Sequence, residues 1–158
     1  LRALGKAHDA RVVHYAVLGN HIHMIVEASD RMRLARRIQG FEVRLARSLN
    51  AMMHRRGKVF ADRYHVHVLR TPREAHHAIG YVLRNAAKHF PKQWTSQADP
   101  YSSAIAFAGW TTPIHISWSP VSPGDSLVSD PKSWLLRIGW KSLGLIDPTF
   151  VPGTRSAN

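Results

Sequence analysis

Two histidines separated by one isoleucine, His21 and His23, lie in the stretch "LGNHIHMIVE". Alternate side chains of a β-strand point to the same face, so a strand here directs both imidazoles to one place. Two imidazoles so placed can share a divalent ion and leave its other positions to oxygen ligands or substrate. A second pair, His65 and His67, has the same spacing, and an isolated His-x-His pattern more often has one interior and one solvated imidazole. Spacing alone does not choose between two candidate metal sites.

A tyrosine and an asparagine four residues apart, Tyr81 and Asn85, occur in "HHAIGYVLRNAAKH". On a helix, this spacing places both side chains on one face, one turn apart. A phenol is a nucleophile toward a phosphodiester when a metal polarises the phosphate, and a carboxamide oxygen can be a further ligand of that metal. The alternative is structural, with the Tyr81 ring packed at the protein surface and Asn85 solvating the helix end.

The elements around the first histidine pair are predicted from local patterns. Two β-runs, Arg11 to Leu18 and His21 to Ala28, flank the turn pair Gly19-Asn20 and predict a hairpin. A long amphipathic helix is predicted from Ser29 to about Arg56, ended by Gly57. Its apolar face has helical spacing and consists of Leu34, Ile38, Phe41, Leu45, Leu49 and Met52.

The stretch after Gly57, "KVFADRYHVHVLR", reads as a third β-run because it is rich in valine and aromatic residues. A second helix is predicted from Pro72 to about His89, with Thr71 and Glu74 forming a capping box at its start. From Pro91 onward the chain carries eight of its nine prolines. This composition predicts a loop-rich extension over residues 93–158 with one short helix near 131–144.

Residues 1–92 are therefore the expected main domain. Its beginning, "LRALGKAHDA", reads as the end of a helix and starts with Leu1, so we expect this domain to be N-terminally incomplete. The apolar side chains of the short helix in the extension are expected to dock on the main domain. They are Trp134, Leu135, Leu136 and Ile138.

Positive charge is concentrated in the first part of the chain. The sequence has 22 Lys and Arg against 10 Asp and Glu, a formal net charge of +12. Residues 1–92 carry 18 basic and 6 acidic side chains, whereas residues 93–158 carry 4 of each. Fourteen of those 18 are arginine, the better ligand for phosphate. Nucleic acid is the commonest partner of such a surface, and a solubilising surface is the alternative.

Composition also excludes several protein classes. Hydrophobic residues make up 44% of the chain, and no apolar stretch approaches the roughly 20 residues of a membrane-spanning helix, so we expect no membrane partner. The absence of cysteine excludes disulfides and thiolate zinc sites and is consistent with a reducing cytoplasm, where we expect the protein to reside. Any metal is expected to be held by His, Asn, Gln or carboxylate groups.

The order of these features resembles a known family. "HIH" follows a hairpin turn ending in Asn20, and a long helix, "GKVFADRY" and a helix containing "YVLRN" follow in turn. This order is similar to that of the HUH single-tyrosine transposases, and most similar to the branch of REP-associated tyrosine transposases. The resemblance covers about residues 11 to 90. It implies an α+β, ferredoxin-like antiparallel sheet with helices on one face, here lacking its first strand.

The resemblance also implies an activity, the cleavage and rejoining of single-stranded or hairpin-bearing DNA through a 5′-phosphotyrosine intermediate. By position, His21, His23 and Asn85 become ligands of Mg²⁺ or Mn²⁺, and Tyr81 becomes the nucleophile. His65 and His67 match a strand before the helix, and not the catalytic pair. The protein is expected to be a monomer or a homodimer.

Arginines of the first part are the candidates for contact with the DNA backbone, with a solvated helix face as the alternative for each. They are Arg33, Arg36, Arg37, Arg44, Arg47, Arg55, Arg56 and Arg63. Two other functions remain open. The chain could be a basic nucleic-acid-binding domain without catalysis, derived from a transposase. It could also be an HUH nuclease that initiates replication, although the accessory regions of such proteins do not fit in 158 residues.

Overall fold

The computed structural model describes residues 9–94, 97–120 and 127–153. The architecture is α+β, as predicted, and the elements follow in chain order as strands β1 (Ala10–Val17) and β2 (Ile22–Ala28) and helices α1 (Arg31–Met52), α2 (Pro72–Leu83), α3 (Asn85–His89), α4 (Pro91–Trp94) and α5 (Trp134–Arg137). Two 3₁₀ turns, Ser103–Ala106 and Gly139–Leu143, lie in the extension. Most of the helix end predicted at Leu1, in residues 1–8, lies outside the described residues.

The predicted hairpin is confirmed. β1 and β2 pair antiparallel, with Val17 opposite Ile22 next to the turn and Ala16 opposite His23. The turn is closed by the Leu18 N–H, which donates to the His21 carbonyl at 2.9 Å. A bulge interrupts the pairing between Val12 and His14, so that one extra residue is inserted into β1.

The hairpin separates two apolar clusters, one on each face. Val12 and Tyr15 of β1 pack with Phe41 of α1. Val13 and Ala16, together with Ile25 of β2, pack in the larger cluster that contains α2. The two long helices therefore lie on opposite faces of the hairpin, and the expectation that helices share one face is wrong. The physical reason is that the described sheet is two-stranded and apolar on both faces, so each face needs its own cover.

Helix α1 begins as predicted but ends earlier than predicted. Asp30 caps it by accepting a hydrogen bond from the Arg33 N–H at 2.7 Å. It ends at Met52 and not near Arg56, because the chain turns at His54, which has a positive φ of 50°. Gly57, with a φ of 103°, belongs to the loop beyond and does not terminate the helix.

The third β-run predicted after Gly57 does not form a strand. Residues 58–70 contain no strand, and Tyr64, Val66 and Val68 are exposed. In the described ranges, β2 pairs with β1 alone. Valine and tyrosine favour strands because of the packing they gain on a sheet, and residues without that packing lose the preference.

Helix α2 has the predicted start, and its C-terminal half departs from the prediction. Thr71 and Glu74 form the capping box, with each side chain accepting from the other residue's backbone. The helix predicted to reach His89 is interrupted at Arg84, whose φ and ψ are −109° and 11°. Arg84 is only 1% exposed, and its guanidinium donates to the carbonyls of Gln97 (3.1 Å) and Phe150 (3.2 Å). A helical pattern in the sequence carries no information about such long-range contacts, so the interruption at Arg84 could not be predicted from it.

The extension shares the core of the preceding residues. Leu136, Trp140 and Ile146 are buried in the cluster that also holds Ile79 and Leu83 of α2. The predicted docking is confirmed for Leu135 and Leu136. It is wrong for Trp134 and Ile138, because both side chains are exposed. The predicted helix consists of one α-helical turn followed by a 3₁₀ turn, and Trp140 in the second of these is buried in the core. The ring of Trp134 packs over Gly139 instead.

The extension also covers the outer edge of β1. The Val17 N–H donates to the Tyr101 carbonyl at 3.0 Å, and the Tyr15 N–H donates to Ser103 Oγ at 3.0 Å. His14 is enclosed at the same edge, and this burial lowers its pKa to about 4. The backbone groups of β1 thus find partners on both sides, as buried polar groups require.

We expect Arg84→Met to lower the free energy of unfolding by about 2–4 kcal/mol, because two carbonyl oxygens lose a charged donor while the side-chain volume is largely kept. Urea denaturation followed by circular dichroism measures the change. The matched control is Arg36→Met on the exposed face of α1, which we expect to shift stability by no more than about 0.5 kcal/mol. Equal destabilisation by the two substitutions would contradict the role of Arg84.

Candidate active site beside the hairpin turn

The two histidines of the hairpin lie side by side. His21 is the last residue of the turn and His23 the second residue of β2. Their ring centroids are 4.8 Å apart, and the rings are nearly perpendicular, at 81°. The predicted strand alternation is therefore present, since Ile22 packs with the opposite cluster.

Tyr81 of α2 lies against His23, one of the two histidines. Its ring centroid is 5.2 Å from that of His23, with an interplanar angle of 78°. Tyr81 is half-buried at the border of the core, and Gly80 beside it is buried. A Cβ atom at Gly80 would lie 3.4 Å from the Phe150 ring, so this glycine allows α2 to pack closely against the extension.

Several buried side-chain atoms have no hydrogen-bond partner among the described residues. They are Nε2 of His23, Nε2 of His76 and both amide atoms of Asn85, the residue that begins α3 and is 0% exposed. Leaving such a group unpaired costs about 1–3 kcal/mol, and a bound water or ion is one way in which a native structure satisfies it. His23 and Asn85 are two of the three predicted metal ligands, and both have free capacity to bind a further group.

His21 is oriented by the turn residue before it. Its Nδ1 lies 2.6 Å from Oδ1 of Asn20, and because a carboxamide oxygen accepts hydrogen bonds, Nδ1 carries the proton. The lone pair of His21 is then on Nε2, the form that a metal binds. Such a hydrogen bond to the second ring nitrogen is typical of metal-binding histidines.

Two further residues belong to the site, Lys88 and His89 of α3, and the predictions missed them. The His89 ring lies 5.7 Å from that of His21, and Lys88 Nζ lies 5.5 Å from the centroid of the Tyr81 ring. The signal that could have identified them is the presence of two basic residues within eight positions of Tyr81, because the interruption at Arg84 removes any argument from one continuous helix face.

The local environment keeps one imidazole in its uncharged form. Burial, followed by electrostatic interactions with His21, His89 and Lys88, lowers the pKa of His23 below its ordinary value. A neutral imidazole is the form that binds metal. His23 is therefore prepared as a ligand at neutral pH.

The second histidine pair is in a different environment. His65, His67 and Tyr64 are all exposed and lie in the irregular segment 58–70. Tyr64 has no aromatic contact with either imidazole among the described residues. The structure thus separates two pairs that spacing alone left equivalent.

The predicted ligands differ in how closely the structure brings them together. Within the described ranges, no three His, Asp or Glu side chains are grouped to hold a metal. The imidazoles of His21 and His23 are neighbours, and Asn85 is a buried residue at the start of α3. Imidazole nitrogens and a carboxamide oxygen are donor types that suit Mn²⁺ better than Mg²⁺.

Comparison with known proteins adds no identification, as no family model, curated protein or solved structure matches this chain. The assignment of a function therefore depends on the side chains themselves. None of the helices in the described ranges combines the length and the apolar character that crossing a bilayer requires.

The eight candidate arginines fall into two groups. Three have partners within the protein: Arg33 with Asp30, Arg37 with Asp9, and Arg55 with Asn50. The Arg37 guanidinium holds the pKa of Asp9 below its usual value. The others are exposed and form no hydrogen bond or ion pair within the described part of the chain: Arg36, Arg44, Arg47, Arg56 and Arg63.

Mn²⁺ titration followed by electron paramagnetic resonance tests the metal site. We expect His23→Ala to abolish binding and Asn20→Ala to weaken it by about 10–100-fold, because Asn20 only orients a ligand. His67→Ala is the control and should leave the affinity unchanged. If His67→Ala weakens binding as much as His23→Ala does, the assignment of the ligands is wrong.

The free arginines of α1 should dominate binding to single-stranded DNA. We expect the double variant Arg44→Ala and Arg47→Ala to weaken binding and to reduce the slope of log K against log salt by about 1.4, or about 0.7 for each lost phosphate contact. Fluorescence anisotropy across a salt series provides the slope. The variant with Arg33→Ala and Arg37→Ala removes the same charge, and its slope should change less because these side chains already pair with acids.

Proposed function

We propose that this protein is a metal-dependent endonuclease and strand-transferase that cuts and rejoins single-stranded or hairpin-bearing DNA, as an HUH single-tyrosine transposase does. One observation supports this proposal above the others. The Tyr81 ring packs against the imidazole of His23, which lies beside that of His21, and Nε2 of His23 is buried without a partner among the described residues. This combination supports the pairing of a tyrosine nucleophile with imidazole ligands of a metal.

The binding step relies on charge. The exposed arginines of α1 attract the DNA backbone, and Lys88 places a positive charge 5.5 Å from the Tyr81 ring, where the transferred phosphate is held. His21, His23 and Asn85 hold the divalent ion, which supplies polarisation of the scissile phosphate when bound.

The cleavage step exchanges one ester bond for another. The phenolic oxygen of Tyr81 attacks the phosphorus atom, and its proton passes to water. A bond from phosphorus to the tyrosine oxygen forms as the bond from phosphorus to the 3′-oxygen breaks, and the departing 3′-oxygen takes up a proton. One strand then ends in a free 3′-hydroxyl, and the other carries a 5′-phosphotyrosine.

The rejoining step is the reverse reaction with a different strand. A 3′-hydroxyl from another DNA end attacks the phosphotyrosine, and the bond to the tyrosine oxygen breaks. The phenol recovers its proton. Because the phosphoester energy is conserved in the covalent intermediate, no nucleotide cofactor is needed.

The covalent intermediate provides the test. Incubation with labelled hairpin and single-stranded oligonucleotides and Mn²⁺, followed by denaturing gels, should show a protein–DNA adduct. Tyr81→Phe should abolish the adduct, since it removes the nucleophilic oxygen and retains the ring. Tyr64→Phe is the matched control, because Tyr64 is exposed on the irregular segment and should be dispensable.

The same assay separates this function from its rivals. DNA binding without an adduct on any substrate would reject catalysis and leave a nucleic-acid-binding domain. An adduct that persists in Tyr81→Phe and disappears in Tyr64→Phe would reject the site. An adduct that cannot be transferred to a second 3′-hydroxyl would indicate a nuclease without strand transfer.

A further inference from the structure

A small pocket lies beside the hairpin turn. It has a volume of about 200 Å³ and lies between the turn, α3 and α4, and the loop around Tyr101. This is smaller than the sites that bind drug-sized ligands and suits one planar ring system. None of the proposed catalytic steps uses it.

We propose that this pocket binds one unpaired base of the DNA strand, with a preference for guanine, and so fixes which phosphate reaches Tyr81. The proposal rests on the proposed function, because it assigns a base-recognition subsite to the same DNA-binding surface.

Aromatic side chains form much of the pocket. Phe90, Trp94 and Tyr101 line it, and Phe90 and Tyr101 are 53% and 50% exposed. Large exposed aromatic rings are unusual on a surface that has no partner. Rings of this kind are the typical stacking platforms for the bases of single strands. An exposed indole outside the pocket lining, Trp118, packs edge-on against Tyr101 at 5.9 Å and extends the platform.

A buried carboxylate supplies the polar contact. Asp99 also lines the pocket and is 4% exposed. The Tyr101 N–H donates to its Oδ1 at 2.9 Å, and Oδ2 forms no hydrogen bond within the described residues. Burial raises the pKa of Asp99 above its usual value, as expected for a carboxylate that lacks a charged partner.

The chemistry of the carboxylate selects the base. Guanine offers two adjacent donors on its pairing edge, the ring N–H and the exocyclic amino group, and both can face the two oxygens of a carboxylate. Adenine and cytosine place an acceptor beside their amino group, and thymine places carbonyl oxygens on both sides of its N–H. Each of these bases therefore points the lone pair of an acceptor atom at a carboxylate oxygen, and the repulsion between the two acceptors opposes binding.

The pocket neighbours the candidate site. Its wall includes Leu18 and Gly19, which precede Asn20 and His21 in the chain, and Ala86, which follows Asn85. Phe90, another wall residue, follows His89, whose ring lies 5.7 Å from that of His21. A base held in the pocket therefore lies near the imidazole pair.

Binding measurements with the full chain test the proposal independently of catalysis. Fluorescence anisotropy is measured for Tyr81→Phe protein without metal, using hairpin oligonucleotides whose unpaired positions are made abasic one at a time. We expect one position at which the abasic site weakens binding by about 5–100-fold, the range for losing one stacked base. At that position, guanine should bind more tightly than adenine, cytosine or thymine.

Variants of the pocket assign the effect. Trp94→Ala should remove the dependence on that position, and Trp94→Phe should retain much of it because a ring remains. Trp134→Ala removes an exposed indole elsewhere and is the matched control. Asp99→Asn should keep the loss at the abasic position and abolish the preference for guanine. Thermal unfolding by circular dichroism verifies that each variant is folded.

The outcomes distinguish the two proposals. Uniform tolerance of abasic sites, or identical behaviour of Trp94→Ala and Trp134→Ala, would overturn the base pocket even if Tyr81 forms a covalent adduct. A guanine preference that persists in Asp99→Asn would overturn the role of the carboxylate. A position-specific preference without any adduct would support the pocket while rejecting the proposed catalysis.

Discussion

The packing of α2 against one face of the hairpin is the constraint on which the candidate site depends. The apolar side chains of Ile79, Val82 and Leu83 are buried there, together with Ile25 of β2. This burial fixes how far α2 lies from the strand and how it is rotated. Tyr81 is next to these buried residues and reaches the border of the cluster, where His23 lies on the same strand face as Ile25. The position of Tyr81 thus follows from hydrophobic packing and not from polar contacts of its own.

Charge is distributed unevenly around this packed unit. Toward the start of α1, Asp9 and Asp30 pair with arginines and hold them on the protein. Farther along the helix Arg44 and Arg47 are exposed and form no ion pair within the described residues, and Lys88 adds positive charge beside Tyr81. A polyanion therefore meets its strongest attraction along the later half of α1 and at the site itself, while burial keeps His23 uncharged.

The parts of the structure predicted from sequence are those determined by neighbours in the chain. The hairpin follows from the turn pair Gly19-Asn20, and the start of α2 follows from the capping box of Thr71 and Glu74. The placement of the two imidazoles on one face of the strand could be predicted from strand alternation alone. The break at Arg84 could not be predicted, because it depends on carbonyls of distant residues. The segment 58–70 has the composition of a strand, but strand formation requires a pairing edge that composition does not specify.

The role of the extension was underestimated for the same reason. Its prolines and short elements suggested an appendage, yet Trp140 and Ile146 are buried beside α2. Tertiary contacts decided its place, and these are not visible in a local pattern.

The hydrogen bonds that Arg84 donates to the carbonyls of Gln97 and Phe150 have a consequence for the order of folding. These acceptors lie 13 and 66 residues farther along the chain. During synthesis, the histidines, Tyr81 and Asn85 all leave the ribosome well before Phe150 does. The loop that closes on Phe150 also carries the larger entropic cost. The nascent chain thus contains every proposed catalytic residue while the junction that holds α2 and α3 in place is still open. The arrangement of α2 and α3 around the candidate site is therefore completed only when the extension folds onto them.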